Sequence, residues 1–448
     1  MLKSGVLYLP IGRKTFDLEA AEIQWKKTST YLKQVSDNVI EPESIITSPD
    51  ELEEFLGTVS NESVLATVYQ SVTFADAEFI QQTINRMKAP VIVWSVREPS
   101  VGGRLRLNSL TGGNSTCHFL RSEKHPYSFV FGNIDESQVQ GKLRTQLSVL
   151  RVIQRLQKLK IGVVGEYPPG FFFSDTNEEL LEKKIGPKIE SVDLYEAFEE
   201  SVKLPESKYE NMISRAEKQV IGINRKDETI KRFAQFSTYM EDKIQEEEIS
   251  ALAIRCWPDF FNKLGAAACS TLSQFTEEGV VSACESDIHG SISMFILREL
   301  ADGEAPYLGD MVHINEASNS AVFWHCGAGA YSLAHPETGA QAGVHPNRKM
   351  GFTLEFGLKP GAVTLLRLSY TKTDGYRLLI MRGKALNTPQ PFNGTSVEVE
   401  LETDINETLY SLMEEGFEPH YALVYADVVD EVIELGRQLD VETVVYVN

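Results

Sequence analysis

VVSACESDIHG, residues 280–290, reads as a short buried strand that runs through a polar turn straight into a helix over 291–300. Small and β-branched apolar residues fill the first half, and Ser286 and Asp287 stand where a helix begins. Strand–turn–helix units of this kind build parallel sheets, whose ligands gather beyond the carboxyl ends of the strands. Glu285 stands at such an end, placed to reach into a cleft. The competing reading is that this turn only caps the helix through Ser286 or Asp287.

The same alternation extends upstream. KIGVVGE (160–166) and ISALAIR (249–255) read as companion strands, with helices near 176–185 and over roughly 195–247 and a strand through 189–194. Before them, GVLYLP (5–10), SVLATVY (63–69) and PVIVWSV (90–96) are strands, and 18–35 and 74–87 carry apolar residues at helical spacing. A basic amphipathic helix over 136–159 links the two sets. Gly165 and Gly186 are too isolated for a dinucleotide fingerprint, and no Walker loop is present.

Downstream the texture changes. DMVHINEA, SAVFWHCG, FTLEFGL, AVTLLRLSY, YRLLIMRGKAL and SVEVELE follow one another across Gly, Pro and Asn turns, the pattern of an antiparallel sheet or barrel without intervening helices. A helix over 420–438 and a strand TVVYV close the chain. The fold class expected is therefore α/β, as three domains: two parallel-sheet units, 1–158 and 159–304, and a β-rich unit, 305–448.

Composition narrows the function. The 448 residues carry 64 acids against 43 bases, a formal charge of −21, so a nucleic-acid partner is not expected. No apolar run is long enough to span a membrane, and the opening MLKSGVLYLPIGRK lacks the pattern of a signal peptide. Five widely spaced cysteines without a CxxC pair argue against a disulfide framework or a cysteine zinc site, and for a reducing cytoplasm.

Three further groups carry potential chemistry. Asp310 opens a strand, where Asp is rare, and Trp324-His325 lie on the next one; a turn-capping Asp and core aromatics are the plainer readings. His420 follows Pro419 and is read as the first turn of the last helix, where the dipole favours a neutral imidazole. Two carboxylates and an imidazole make a hard-to-borderline site for Mn²⁺, Mg²⁺ or Co²⁺. Their spacing is not diagnostic by itself.

The ordered features LPIGR, LNSLTGGN (107–114), VGEYPPGF (164–171), ACESD (283–287), Asp310 before WHCGAG, and HYALVYADV (420–428) resemble the L-fucose/L-arabinose isomerase superfamily along nearly the whole chain. The chain is shorter than typical members and departs from them in the β domain. The resemblance implies a manganese-type aldose–ketose isomerase acting on an open-chain hexose. Glu285, Asp310 and His420 become metal ligands, and Glu285 and Asp310 also the acid–base pair of a cis-enediol route. Arg13 and Tyr69 match sugar contacts of that family, with Asn108, Trp324 and His325 as further expected contacts. The resemblance also implies a homo-oligomer whose active sites are shared between subunits. Sulfoquinovose isomerases form one branch of the superfamily. Arg13, Lys14, Arg104 and Arg106 are cations that suit an anionic head group there, unless they merely pair with acids such as Asp17 and Glu98. L-fucose or L-arabinose isomerisation, a non-catalytic sugar-binding regulator and a metallohydrolase using His325 and His420 are the alternatives.

Overall fold

The computed structural model describes residues 5–447, so the first four residues of the opening segment lie outside the described residues. The chain divides into two compact units, Met1–Gln154 and Arg155–Asn448. The boundary expected near 304 falls inside the second unit, between the helix Ile288–Leu300 and the strand that follows.

In the first unit, β1 (Gly5–Ile11), β2 (Val39–Ile40), β3 (Val64–Ser71), β4 (Val91–Ser95) and β5 (Tyr127–Phe131) form a parallel sheet in the order β2-β1-β3-β4-β5. β1, β3 and β4 are buried along their whole length, which is why they read as unbroken apolar runs. Leu7, Leu9 and Val93 pack with Phe79 and Ile80, whereas Val6, Tyr8 and Trp94 pack with Leu143 and Leu147. Each such buried side chain contributes roughly 1.5–3 kcal/mol relative to exposure. Part of LNSLTGGN belongs to the helix Ser109–Ser122.

The second unit opens with β6 (Lys160–Val164), β7 (Lys188–Val192), β8 (Val220–Ile221), β9 (Ala251–Ile254) and β10 (Val281–Cys284). Of these, four make a parallel sheet in the order β10-β9-β6-β7. There follow β11 (Tyr307–Asn315), β12 (Ser320–His325), β13 (Ala340–Gly343), β14 (Thr353–Gly357), β15 (Gly361–Thr371), β16 (Gly375–Ala385), β17 (Thr395–Leu401), β18 (His420–Val424) and β19 (Glu442–Tyr446). Six of them, in the cyclic order β16-β15-β18-β11-β12-β17, close on themselves through the β16–β17 pairing as an antiparallel barrel. Tyr307, Phe323, Leu365, Leu379, Val397, Val399 and Leu423 lie in one core cluster. The α/β, α/β and barrel succession matches the fold class expected from the sequence.

Two expectations are corrected here. A helix, Ile405–Glu414, does interrupt the β-rich region. The segment after Pro419 is a strand, β18, and the closing helix begins only at Val429. His420 therefore owes nothing to a helix dipole; every residue of HYALV is buried, and such a run does not by itself distinguish strand from helix.

Candidate active site

β10 ends at Cys284, and the chain then turns through two consecutive left-handed residues, Glu285 (φ 60°) and Ser286 (φ 53°). L-residues pay roughly 1–2 kcal/mol each for that conformation, so the turn must be held from outside. Ser286 N–H donates to the Ile254 carbonyl at 3.1 Å, and its hydroxyl donates to the Gly165 carbonyl at 3.0 Å. Asp287 then caps the helix by accepting from Gly290 N–H at 2.8 Å. Glu285 is presented from a locked corner at the carboxyl edge of the sheet.

The other groups come from the barrel. Asp310 on β11 is the cross-strand partner of His420 on β18 and of Trp324 on β12. Directly paired residues share a face, so the antiparallel register alone sets these three side chains in one row. His420 Nε2 lies 3.4 Å from Glu285 Oε2 and 3.5 Å from Asp310 Oδ1, so Glu285, Asp310 and His420 are brought together.

Behind them, His420 Nδ1 is 2.8 Å from Asp287 Oδ2, and Arg367 donates to the same oxygen at 2.5 Å. Arg367 also reaches Glu418 Oε2 at 3.4 Å, and Glu418 accepts from Tyr370 N–H at 3.1 Å. Asp287 and Arg367 have no exposed surface. Burial opposes ionisation of Asp287, but the Arg367 charge and the His420 hydrogen bond outweigh it and hold the carboxyl far below the usual range. As an ionised acceptor it fixes the proton on Nδ1, which leaves Nε2 to face the two outer carboxylates. Burial opposes charge on His420 as well, yet bonds to Asp287 and Glu285 and the field of Asp310 raise its pKa well above normal. Burial raises the Asp310 pKa, with partial relief from His420.

Two carboxylates, each within 3.5 Å of one imidazole nitrogen, are by their chemistry donors suited to a divalent cation of the Mn²⁺, Mg²⁺ or Co²⁺ type, whose charge would replace the His420 Nε2 proton. A softer grouping adjoins it. Ligand atoms of Cys256, Cys284 and Glu285 lie within 4.8 Å of one another, and Cys269 Sγ is 3.6 Å from Cys326 Sγ. Sequence spacing alone misses this cluster, because the fold and not a CxxC pair assembles it. Hydrogen bonds with the neighbouring Cys256 and Cys326 thiols, and then burial, push the Cys284 thiol well up, so the carboxylates and imidazole remain the ready donors.

Glu285 and Asp310 line a cavity of about 240 Å³ together with Trp257, Trp324, His325 and Arg348. His325 Nδ1 accepts from Cys326 N–H at 2.9 Å, while its Nε2 is buried with no partner among the described residues. Trp324 is tied by its indole N–H to the Asn393 carbonyl at 2.6 Å. The aromatic loop after β6 also reaches this region: Phe173 meets the His420 ring edge-on at 5.2 Å, and Phe171 meets Trp257 at 5.3 Å. Trp257 and Arg348 escaped the sequence reading, as did the positioning pair Asp287–Arg367. An arginine inside the apolar strand AVTLLRLSY was the available signal, since a buried cation needs a buried acid.

The remaining expected contacts belong to the first unit. Arg13 is ion-paired with Asp76 and lies over the Phe79 ring at 4.7 Å. Lys14 lies 3.7 Å from Glu51, Arg104 donates to the Thr15 carbonyl at 3.3 Å, and Arg106 pairs with Asp17 at 2.7 Å. Glu98 accepts from the backbone N–H groups of Arg106, Leu107 and Asn108. Asn108 opens the helix Ser109–Ser122 in a left-handed conformation, its side chain accepting from the Thr111 hydroxyl at 2.7 Å. Tyr69, expected as a sugar contact, lies on β3 with zero exposure and packs in the sheet core.

Residues 343–446 match the model of the L-fucose isomerase C-terminal domain. Over its full length the chain is 63% identical to the sulfoquinovose isomerase of Priestia megaterium, covering 100% of both chains. It is 58% identical to that of Alkalicoccus urumqiensis over 98% of each chain, and 37% identical to that of a Clostridium species over 100% of each.

Proposed function

The chain belongs to the sulfoquinovose isomerase family of aldose–ketose isomerases, and from that premise we propose that it interconverts sulfoquinovose and 6-deoxy-6-sulfofructose at the Glu285–Asp310–His420 site. The observation that carries the reading is the approach of His420 Nε2 to both carboxylates, 3.4 and 3.5 Å away, in a small cavity. At about 240 Å³ it suits one small sugar.

Glu285, Asp310 and His420 would hold a divalent cation, manganese foremost with magnesium or cobalt as alternatives. When bound, it supplies Lewis-acid polarisation of the sugar carbonyl. The chain's own residues move the proton. One carboxylate takes it from C2 of the open-chain aldose to leave a cis-enediolate, the O2 hydroxyl proton passes to O1, and the other carboxylate delivers a proton to C1, after which the two carboxyls exchange protons with solvent. Burial raises the Asp310 pKa, so this carboxylate accepts and returns a proton more readily than an exposed one. His325, with its unsatisfied Nε2, is positioned to orient a sugar hydroxyl.

The same reading includes a homo-oligomer in which a neighbouring subunit completes the site, and residence in the cytoplasm. Five free cysteines support the second point, and no helix of the described residues is long and apolar enough to cross a membrane. The decisive experiment follows sulfoquinovose deuterated at C2 through turnover by the manganese-loaded protein. Ketose formation with loss of label to solvent is expected. No ketose, or no loss of activity after chelation, refutes the reading; an active monomer by light scattering removes the shared site.

A further inference from the structure

We propose that Arg348 forms an anion subsite in the catalytic cavity, taking the C6 sulfonate of the sugar whose C1–C2 end lies at Glu285 and Asp310. The inference rests on the isomerase reading above and deepens it.

Arg348 and the two carboxylates line one cavity. A sulfonated sugar entering there meets two acids of its own sign, in a chain of charge −21, and needs a local cation to be held. No carboxylate among the described residues lies within salt-bridge distance of Arg348. Its guanidinium carbon instead sits 5.2 Å from the centre of the Trp257 ring, which also lines the cavity. A cation–π contact of this kind restrains the guanidinium while leaving its N–H groups free to donate the fork of hydrogen bonds that recognises sulfonate or phosphate oxygens.

The turn beneath Arg348 is built in advance. His345 Nδ1 accepts from the N–H groups of Asn347 and Arg348, both at 3.3 Å. The His345 carbonyl accepts from Lys349 N–H at 2.9 Å, and its own N–H donates to the Met350 carbonyl at 3.0 Å. The imidazole packs edge-on against Phe261 at 5.2 Å. By contrast, Arg13 and Arg106 are already paired with Asp76 and Asp17. An anion at those sites would compete with a resident carboxylate, whereas at Arg348 it would displace only water.

The test compares Arg348→Met and Arg348→Lys with the wild type on sulfoquinovose, on glucose 6-phosphate and on uncharged 6-deoxyglucose. Calorimetry of sulfoquinovose binding to the metal-free protein provides a second readout. Arg348 is exposed, so neither substitution threatens folding. The expected result for Arg348→Met is at least an approximately tenfold fall in the ratio of kcat/KM for sulfoquinovose to that for 6-deoxyglucose, carried mainly by KM, with a matching loss in Kd. Arg348→Lys should fall between. The phosphate ester shows whether the subsite reads sulfonate or any C6 anion. An unchanged ratio, or an unchanged Kd for sulfoquinovose in Arg348→Met, overturns the proposal. Failure of the wild type to isomerise sulfoquinovose overturns the function reading instead, and the calorimetry still decides the role of Arg348.

Discussion

The carboxylate of Asp287 and the imidazole of His420 meet at 2.8 Å across 133 residues of chain, and this contact selects the nitrogen that faces Glu285 and Asp310. Asp287 is fully buried and does not line the cavity; it acts through His420 as a positioning residue. Asp287→Asn keeps the helix cap but lets the side chain donate as well as accept, so His420 loses its fixed tautomer. Manganese affinity measured by calorimetry should fall about 10- to 100-fold, the range found for groups that orient metal-bound histidines. Unchanged affinity would show that the tautomer is set elsewhere.

Arg367 makes the burial of Asp287 tolerable. Arg367→Met leaves the acid without its buried counter-charge and should cost about 3–5 kcal/mol of stability in urea unfolding. The double variant Arg367→Met/Asp287→Asn should lose less than the two single losses combined, because position 287 no longer carries the charge that Arg367 balanced, while Glu418 loses its partner whenever Arg367 is replaced. Additive losses would mean the pair is not coupled.

The carboxylates at the site are separable from metal binding by measuring occupancy first. Glu285→Gln and Asp310→Asn, each compared at equal manganese content, should lower kcat by at least the roughly 10²–10⁴-fold typical of acid–base catalysis. A fully loaded variant that loses less than about tenfold removes that residue from proton transfer.

Stability should also depend on pH through His289. The ring is fully buried, 3.2 Å from the Thr176 hydroxyl, and burial, reinforced by the Arg367 charge, holds its pKa at about 4. An unfolded histidine titrates near 6.5. Between those values the unfolded chain binds a proton that the native state refuses, so stability falls as pH drops from about 6.5 and levels off below about 4. The contribution is about 2–3 kcal/mol at pH 4.5. His289→Gln should narrow the stability gap between pH 7 and 4.5 by about that amount in urea titrations. An equal gap in both proteins would place the acid sensitivity in other groups.

Much of this was legible in the chain. Strands buried on both faces announced themselves as unbroken apolar runs, and ACESD placed Glu285 at a strand end. Glycine, serine and threonine hid the helix Ser109–Ser122, whose sequence SLTGGNSTCHFLRS has poor intrinsic propensity and forms in its tertiary setting. HYALV looks like the first turn of a helix because Pro419 mimics a helix start, yet it forms β18. Asp287 was visible only as a cap, since its bonds to Arg367 and His420 join segments that no local pattern connects. The cations near residue 13 stood out by charge, but pairing with acids is equally a property of charge, and Arg348 is distinguished only by the company it lacks.

The rung formed by Trp324, Asp310 and His420 also fixes where the gene can tolerate insertions. Side chains alternate between the two faces of a strand, so one added codon between Tyr307 and Asp310 would turn the carboxylate away from the cavity while leaving the barrel's outline almost intact. Codons gained or lost in the 344–350 turn, between β13 and β14, would instead reshape the wall that carries Arg348 without shifting that rung. Changes of sugar preference and loss of catalysis are thereby assigned to different stretches of DNA: length is negotiable in one and forbidden in the other.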